Sequence, residues 1–199
     1  ITIENTHAQF EELLTLISSK LHVYLWGPAG SGKSTAAAQV AKALNLPYGY
    51  VSLNPQSPES RLIGFIDASG TYRATPFRKI YEHGGVFCID EVDNASPALL
   101  NTLNSLLENG HGAFPDTIVA RHADFIMVTT GNTNGKGASQ AYPDRRAFDA
   151  AFGDRPESRE QVTPPKPGDP VDYQRYKDQI ASIDERPWLA RTSLLGSSA

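Results

Sequence analysis

Cysteine is almost missing from this chain: its 199 residues include one, Cys88. A single thiol excludes an internal disulfide framework and any metal site built wholly of cysteines. It lies inside the apolar run Val86-Phe87-Cys88-Ile89, where a small buried hydrophobe is the expected role. An excess of positive charge is missing too. The formal net charge is −4, which leaves no general basic footprint for nucleic acid. No stretch approaches the apolar length needed to cross a bilayer, and the N-terminus lacks a basic region followed by an apolar run. A soluble, cytoplasmic protein without membrane contact is therefore expected. Internal repeats are absent. The first residue is not Met, which fits a fragment or a processed chain. The length suits one α/β domain with a sizeable core and a tail.

What is present is a complete G-x-x-x-x-G-K-S phosphate loop, Gly27-Pro28-Ala29-Gly30-Ser31-Gly32-Lys33-Ser34. The apolar run Val23-Tyr24-Leu25-Trp26 precedes it, and the helix-forming run Thr35 to Leu44 follows, so the strand–loop–helix context of the motif is intact. Glycines let successive backbone N–H groups turn onto an anion, and the helix N-terminus adds positive potential. Lys33 is expected to reach the β- and γ-phosphates, and the Ser34 hydroxyl to ligate Mg²⁺. The chain is expected to bind a nucleoside triphosphate.

Around the loop, residues 3–20 read as a helix with Phe10, Leu13, Leu14 and Ile17 on one face. Tyr48 to Leu53 reads as a strand, and Ser57 to Gly64 as a short helix capped by Ser57. Gly64 to Tyr72 suits a hairpin or an ordered loop, and Pro76 to His83 a helix. Val86-Phe87-Cys88-Ile89 then runs into Asp90-Glu91, the pattern of a fully buried parallel strand with acids at its carboxyl end, where open α/β sheets bind ligands. Asp90 suits a direct or water-mediated Mg²⁺ carboxylate, and Glu91 suits polarising the water that attacks the γ-phosphate. Asp93 reads as a further acid of this edge or as a helix cap.

Ser96-Pro97 opens an amphipathic helix whose stripe is Leu99, Leu100, Leu103, Leu106 and Leu107. His111 to His122 reads as a second hairpin; both histidines lack metal-ligand spacing and read as surface residues. Phe125 to Thr130 reads as a third buried strand, ending in Gly131-Asn132-Thr133; Asn132 reads as a turn residue or, if this strand neighbours the Asp90-Glu91 strand, as an amide that orients the attacking water. Asp144 to Phe152 reads as a helix. Residues 153–199 carry Pro156, Pro164, Pro165, Pro167, Pro170 and Pro187, and only Tyr173 to Ile183 looks helical there. No apolar strand is expected from this tail.

This series of motifs resembles the AAA+ ATPases, and within them the MoxR and dynein-related branch, including the ATPase subunit of cobalt chelatase and similar phage-encoded proteins. The resemblance is carried by Leu62-Ile63-Gly64-Phe65 with Gly70-Thr71-Tyr72, and by Gly84 through Asp93. Leu103 to Gly110, His122 to Phe125, and Gly131 to Gly137 complete it. It implies a P-loop NTPase fold: a three-layer α/β/α sandwich on a mostly parallel sheet of order 5-1-4-3-2, with hairpin inserts facing substrate or partner. It implies ATP and Mg²⁺ as ligands, held by Gly27 to Thr35 as Walker A and Asp90 with Glu91 as Walker B, with Asn132 as sensor 1. It further implies a homo-oligomeric ring, usually a hexamer, acting on a protein client, such as one with a metal-binding adhesion-type domain; a phage or DNA-linked role is equally open. Arg155 matches the family's Asp-Arg-Phe arginine finger, with Arg145 and Arg146 as competitors. The pattern departs after Arg155, where Pro156-Glu157-Ser158-Arg159-Glu160 replaces an apolar strand and a helical lid. Residues 1–155 are thus expected to form the ATPase core. Residues 156–199 are expected to form a Pro-rich, partly helical tail, with the fifth strand and lid absent or replaced.

Two further classes compete. A nucleotide-type kinase also uses a phosphate loop, but Asp90-Glu91, the Asn132 strand end and the lack of an arginine-rich lid argue against it. A nucleotide-binding scaffold with little hydrolysis is the other. A GTPase is disfavoured because Asn134-Gly135-Lys136-Gly137 is not an Asn-Lys-x-Asp guanine reader.

Overall fold

The fold follows from five short strands that pair side by side and two pairs of helices that cover them. The computed structural model describes residues 7, 9–133 and 189–193. The strands are β1 (His22–Trp26), β2 (Tyr48–Ser52), β5 (Gly85–Asp90), β8 (Phe125–Gly131) and β9 (Leu189–Ser193), in the order β2-β5-β8-β1-β9. Every pairing among them is parallel. Counted as core strands in chain order, this is the expected 5-1-4-3-2 arrangement.

Strand β8 is buried along its whole length and β5 along all but its last residue, so both read as continuous apolar runs rather than alternating ones. Successive side chains feed opposite layers. On one face Val23, Leu25, Val86, Cys88, Ile126 and Val128 meet Leu13, Leu16 and Ile17 of α1 (Phe10–Ser18) and Ala36, Ala37, Val40 and Ala41 of α2 (Lys33–Ala43). On the other, Tyr24, Phe87, Ile89, Phe125 and Met127 meet Phe77 and Tyr81 of α4 (Pro76–His83) and the leucine stripe of α5 (Pro97–Glu108). The result is the three-layer α/β/α sandwich.

Two helices begin the same way. The Thr75 hydroxyl accepts from Arg78 N and the Ser96 hydroxyl from Leu99 N, each followed by a proline at the first helical position. The short α3 (Ser60–Ile63) starts later than expected, and Ser57 does not cap it: its hydroxyl exchanges hydrogen bonds with Asn54 instead. Both expected hairpins form, β3 (Phe65–Ile66) with β4 (Tyr72–Arg73), and β6 (His111–Ala113) with β7 (Ile118–Ala120). Arg78 anchors the second, pairing with Asp116 at 2.9 Å and lying over the Phe114 ring.

One expectation is corrected. The tail is expected to supply no apolar strand, with the fifth strand absent or replaced; the fifth strand is not absent, since Leu189–Ser193 pairs in parallel with β1 from His22↔Leu189 to Trp26↔Ser193. Leu-Ala-Arg-Thr-Ser is no apolar run, and it need not be: the outermost strand of a sheet is fixed by its backbone ladder to a single neighbour. The helices expected at residues 144–152 and 173–183, and Arg145, Arg146 and Arg155, lie outside the described residues. Among the described residues no helix is long and apolar enough to cross a membrane.

Candidate functional site

The phosphate loop joins the end of β1 to α2. Gly27 N donates to Gly131 O at 3.3 Å, which ties the base of the loop to the end of β8. Gly30 and Gly32 take φ of +77° and +78°, left-handed values that side-chain-bearing residues resist, and Gly32 stands as N-cap of α2. Lys33 is 7% exposed. Its ammonium donates to Gly27 O at 3.0 Å, Pro28 O at 2.9 Å and Asn132 Oδ1 at 3.2 Å. The Ser31 hydroxyl oxygen is buried with no hydrogen-bond partner among the described residues. A ligand offering acceptor oxygens satisfies it.

His7 reaches this loop from before α1. Its Nδ1 accepts from Gln9 N, so the proton sits on Nε2, which donates to Ser31 O at 2.8 Å; the His7 amide donates to Gln39 of α2. Sequence reading assigned no chemistry to this segment. Nothing local marks a histidine that lands on a loop 24 residues away.

The acidic end of β5 lies between two hydroxyls. Tyr50 Oη donates to Asp90 Oδ2 at 2.9 Å, and Thr130 Oγ1 donates to Asp90 Oδ1. The register explains the pair: Ser52 opposes Asp90 on one side, with Tyr50 two residues back on the same face, and Ile89 opposes Thr129 on the other, which brings Thr130 beside Asp90. Partial burial, reinforced by the bond to Asp90, pushes the Tyr50 phenol up to about 12, so it stays a donor at neutral pH. Glu91 then leaves the strand with φ +56°, a left-handed backbone that costs a non-glycine residue about 1–2 kcal/mol. Strain of this kind clusters at functional sites. The Glu91 amide faces Thr130 Oγ1 at 3.4 Å, and its carboxylate accepts from Asn94 Nδ2 at 3.4 Å.

Asp93 is not a helix cap; Ser96 takes that part. Asp93 is 1% exposed, and its Oδ2 accepts from Asn132 N at 3.0 Å, Thr133 N at 3.1 Å and Thr133 Oγ1 at 3.1 Å. Tyr24 Oη donates to Thr133 O at 2.5 Å. These bonds fix the turn after β8 and hold Asn132 against Lys33. They also crowd Gly131, where an added Cβ would stand 2.2 Å from Tyr24 Oη.

Lys33, Asn132, Asp90 and Glu91 thus gather at the carboxyl ends of β1, β5 and β8. Ser34 and Thr35 stand in the first turn of α2. The Ser34 hydroxyl and Asp90 carboxylate are hard oxygen donors of the kind Mg²⁺ takes. Together with the left-handed glycines, the buried ammonium and the orphaned Ser31 hydroxyl, they fit a nucleoside triphosphate and its cation. His111 and His122 are exposed on the second hairpin and just after it, away from this edge.

Known proteins similar to this chain comprise a family, two relatives and two solved structures. A family model described as the AAA domain of the dynein-related subfamily matches residues 22–146. An uncharacterized protein of Staphylococcus epidermidis is 29% identical over 107 residues, covering 50% of this chain and 41% of that protein. One of Staphylococcus saprophyticus is 25% identical over 114 residues, covering 53% and 43%. The chain thus spans less than half the length of these curated relatives. Among solved structures, a candidate ATPase from Cytophaga hutchinsonii matches with a TM-score of 0.56 at 15% identity, over 95% of this chain and 56% of its own. NtrX from Brucella abortus matches with a TM-score of 0.52 at 17% identity, over 67% and 32%. At these identities the structural likeness speaks for the fold.

Proposed function

The chain belongs to the dynein-related subfamily of AAA domains, and on that premise we propose that it binds ATP with Mg²⁺, hydrolyses it, and uses the cycle to remodel or activate a protein partner. The observation that carries this reading is the contact of Lys33 Nζ with Asn132 Oδ1 at the mouth of the phosphate loop, beside the Asp90–Glu91 strand end. A binding-only scaffold has no need of an amide and two acids converging there.

The parts divide as follows. Backbone N–H groups of Gly30 to Ser34 and the Ser31 hydroxyl cradle the phosphates. The Lys33 contacts to Gly27, Pro28 and Asn132 are to neutral oxygens; charged phosphate oxygens are roughly twice as strong acceptors, so its ammonium would favour transfer to them. That transfer frees the Asn132 amide to orient the attacking water. Glu91 takes the proton of that water. Ser34 and Asp90 would hold Mg²⁺, which would supply positive charge against that of the phosphates. Arg155, outside the described residues, is the candidate to reach a neighbour's γ-phosphate in a homo-oligomeric ring. The β3–β4 hairpin, with Phe65 and Ile66 about half exposed, supports a client surface.

Glu91→Gln tests the reading. It removes the base and keeps the shape, so ATP binding should survive while hydrolysis falls about tenfold or more. The same protein, held with ATP and Mg²⁺, should scatter light with the mass of a ring, about six subunits. Unchanged turnover refutes Glu91 as the base, and a monomer refutes the ring.

A further inference from the structure

We propose that Tyr50 is a positioning residue for the divalent cation: with Thr130, it clamps the Asp90 carboxylate in the orientation that the cation's ligand shell meets. The inference rests on the reading above, in which Asp90 serves Mg²⁺.

An aspartate at a half-exposed strand end has two soft torsions and rotates freely unless something holds it. Here each carboxylate oxygen accepts from a hydroxyl, one on either flanking strand. Both donors stand on strands of the parallel sheet, which holds them more rigidly than loops would. Each oxygen keeps a second lone-pair direction, available to the cation or to water bound to it. The tyrosine is the right length for the task. Ser52 is the residue registered opposite Asp90, so Tyr50 sits two residues back, about 6–7 Å along the strand. A serine or threonine hydroxyl at position 50 falls short of that span, and a phenol covers it.

Exposure points the same way. Tyr50 is 47% exposed on β2, one of the two edge strands of the sheet, so its ring contributes little to the core, while its hydroxyl is committed to Asp90. Tyr48, on the same face, supplies an internal comparison. Its hydroxyl reaches Ser34 O at 3.4 Å, a backbone oxygen held by α2 whatever Tyr48 does.

The test uses the full chain carrying Tyr50→Phe. ADP affinity is measured by calorimetry in EDTA; Mg²⁺ is then titrated at saturating ADP while the thermal unfolding midpoint is followed. We expect ADP affinity in EDTA to stay within about twofold of wild type, and the Mg²⁺ concentration for half of the Mg²⁺-dependent shift to rise about fivefold, the size of an ordinary net hydrogen bond, because exposure weakens this one below the usual worth of a bond to a charged group. Tyr48→Phe should keep the wild-type Mg²⁺ midpoint. In turnover, Tyr50→Phe should recover most of its kcat at high Mg²⁺, a split that a merely structural lesion does not give. If wild type responds to Mg²⁺ and Tyr50→Phe responds at the same or a lower concentration, the clamp is refuted and the ATPase reading stands. If wild type binds neither ADP nor ATP, the ATPase reading fails and the clamp falls with it.

Discussion

His22 opens β1, the strand that delivers the phosphate loop, and its burial makes a quantitative pH prediction. The ring is 4% exposed, packed 5.8 Å from the Phe125 ring, and its Nδ1 accepts from Met127 N at 3.0 Å. A proton on Nδ1 would set two donors face to face in a dry core. Burial first, and the Arg121 charge second, lower its pKa from 6.5 to about 3. As pH falls below 6.5 the unfolded chain takes up a proton that the folded chain refuses, so stability present above that pH is lost progressively until about pH 3. The slope is about 1.36 kcal/mol per pH unit, so the loss between pH 7.5 and pH 5 comes to about 2 kcal/mol. Other groups titrate too, and a matched variant removes them. His22→Asn places Oδ1 where Nδ1 accepted and cannot take up a proton. Urea unfolding of both proteins at pH 7.5, 6 and 5 yields a stability difference in which shared titrations cancel. That difference should move by about 2 kcal/mol against wild type on acidification. A difference constant across the three pH values refutes the buried neutral imidazole.

Two further outcomes follow from the contacts around Asn132 and in the core. Asp93→Asn keeps the volume but puts an amide where three donors converge on one oxygen, so the Asn132 turn should loosen; we expect kcat for ATP hydrolysis to fall about tenfold with nucleotide affinity nearly kept, and equal losses in both would contradict this. Leu103→Ala empties a fully buried position under β5 and β8 and should cost about 2–5 kcal/mol in chemical denaturation, whereas a cost below about 1 kcal/mol would mean the α5 layer repacks freely.

Much of this molecule is legible in its sequence because the signals are local. The phosphate loop is eight consecutive residues whose glycines, lysine and serine each have a physical reason to be there. Thr75-Pro76 and Ser96-Pro97 announce helix starts, Gly84-Gly85 and Asn109-Gly110 announce stops, and the run 86–89 into Asp90-Glu91 marks a buried strand with its acids at one end. Each of these rests on neighbours within a few residues. The short α3 shows the limit of such reading: Ser57 and Pro58 look like a cap and first turn, but Asn54 competes for the serine hydroxyl and wins.

What the sequence hides is the pairing that turns motifs into a site. Alternation along β2 says that Tyr50 and Ser52 share a face, but only the register with β5 says that Asp90 lies within a phenol's reach, 40 residues on. The Thr130 hydroxyl reads as an ordinary β-branched strand residue until β8 is set beside β5. Asp93 offers two local parts, cap or acid, and takes a third, because the backbone it satisfies lies 39 and 40 residues away. Strand β9 is the sharpest case. Composition reports burial, and a strand paired along one side needs only its backbone, so Leu189–Ser193 carries no apolar signature for its place beside β1. The hidden residues thus share one property. Each is specified by a hydrogen bond to a distant segment of the chain rather than by hydrophobic burial, and periodicity records only the latter.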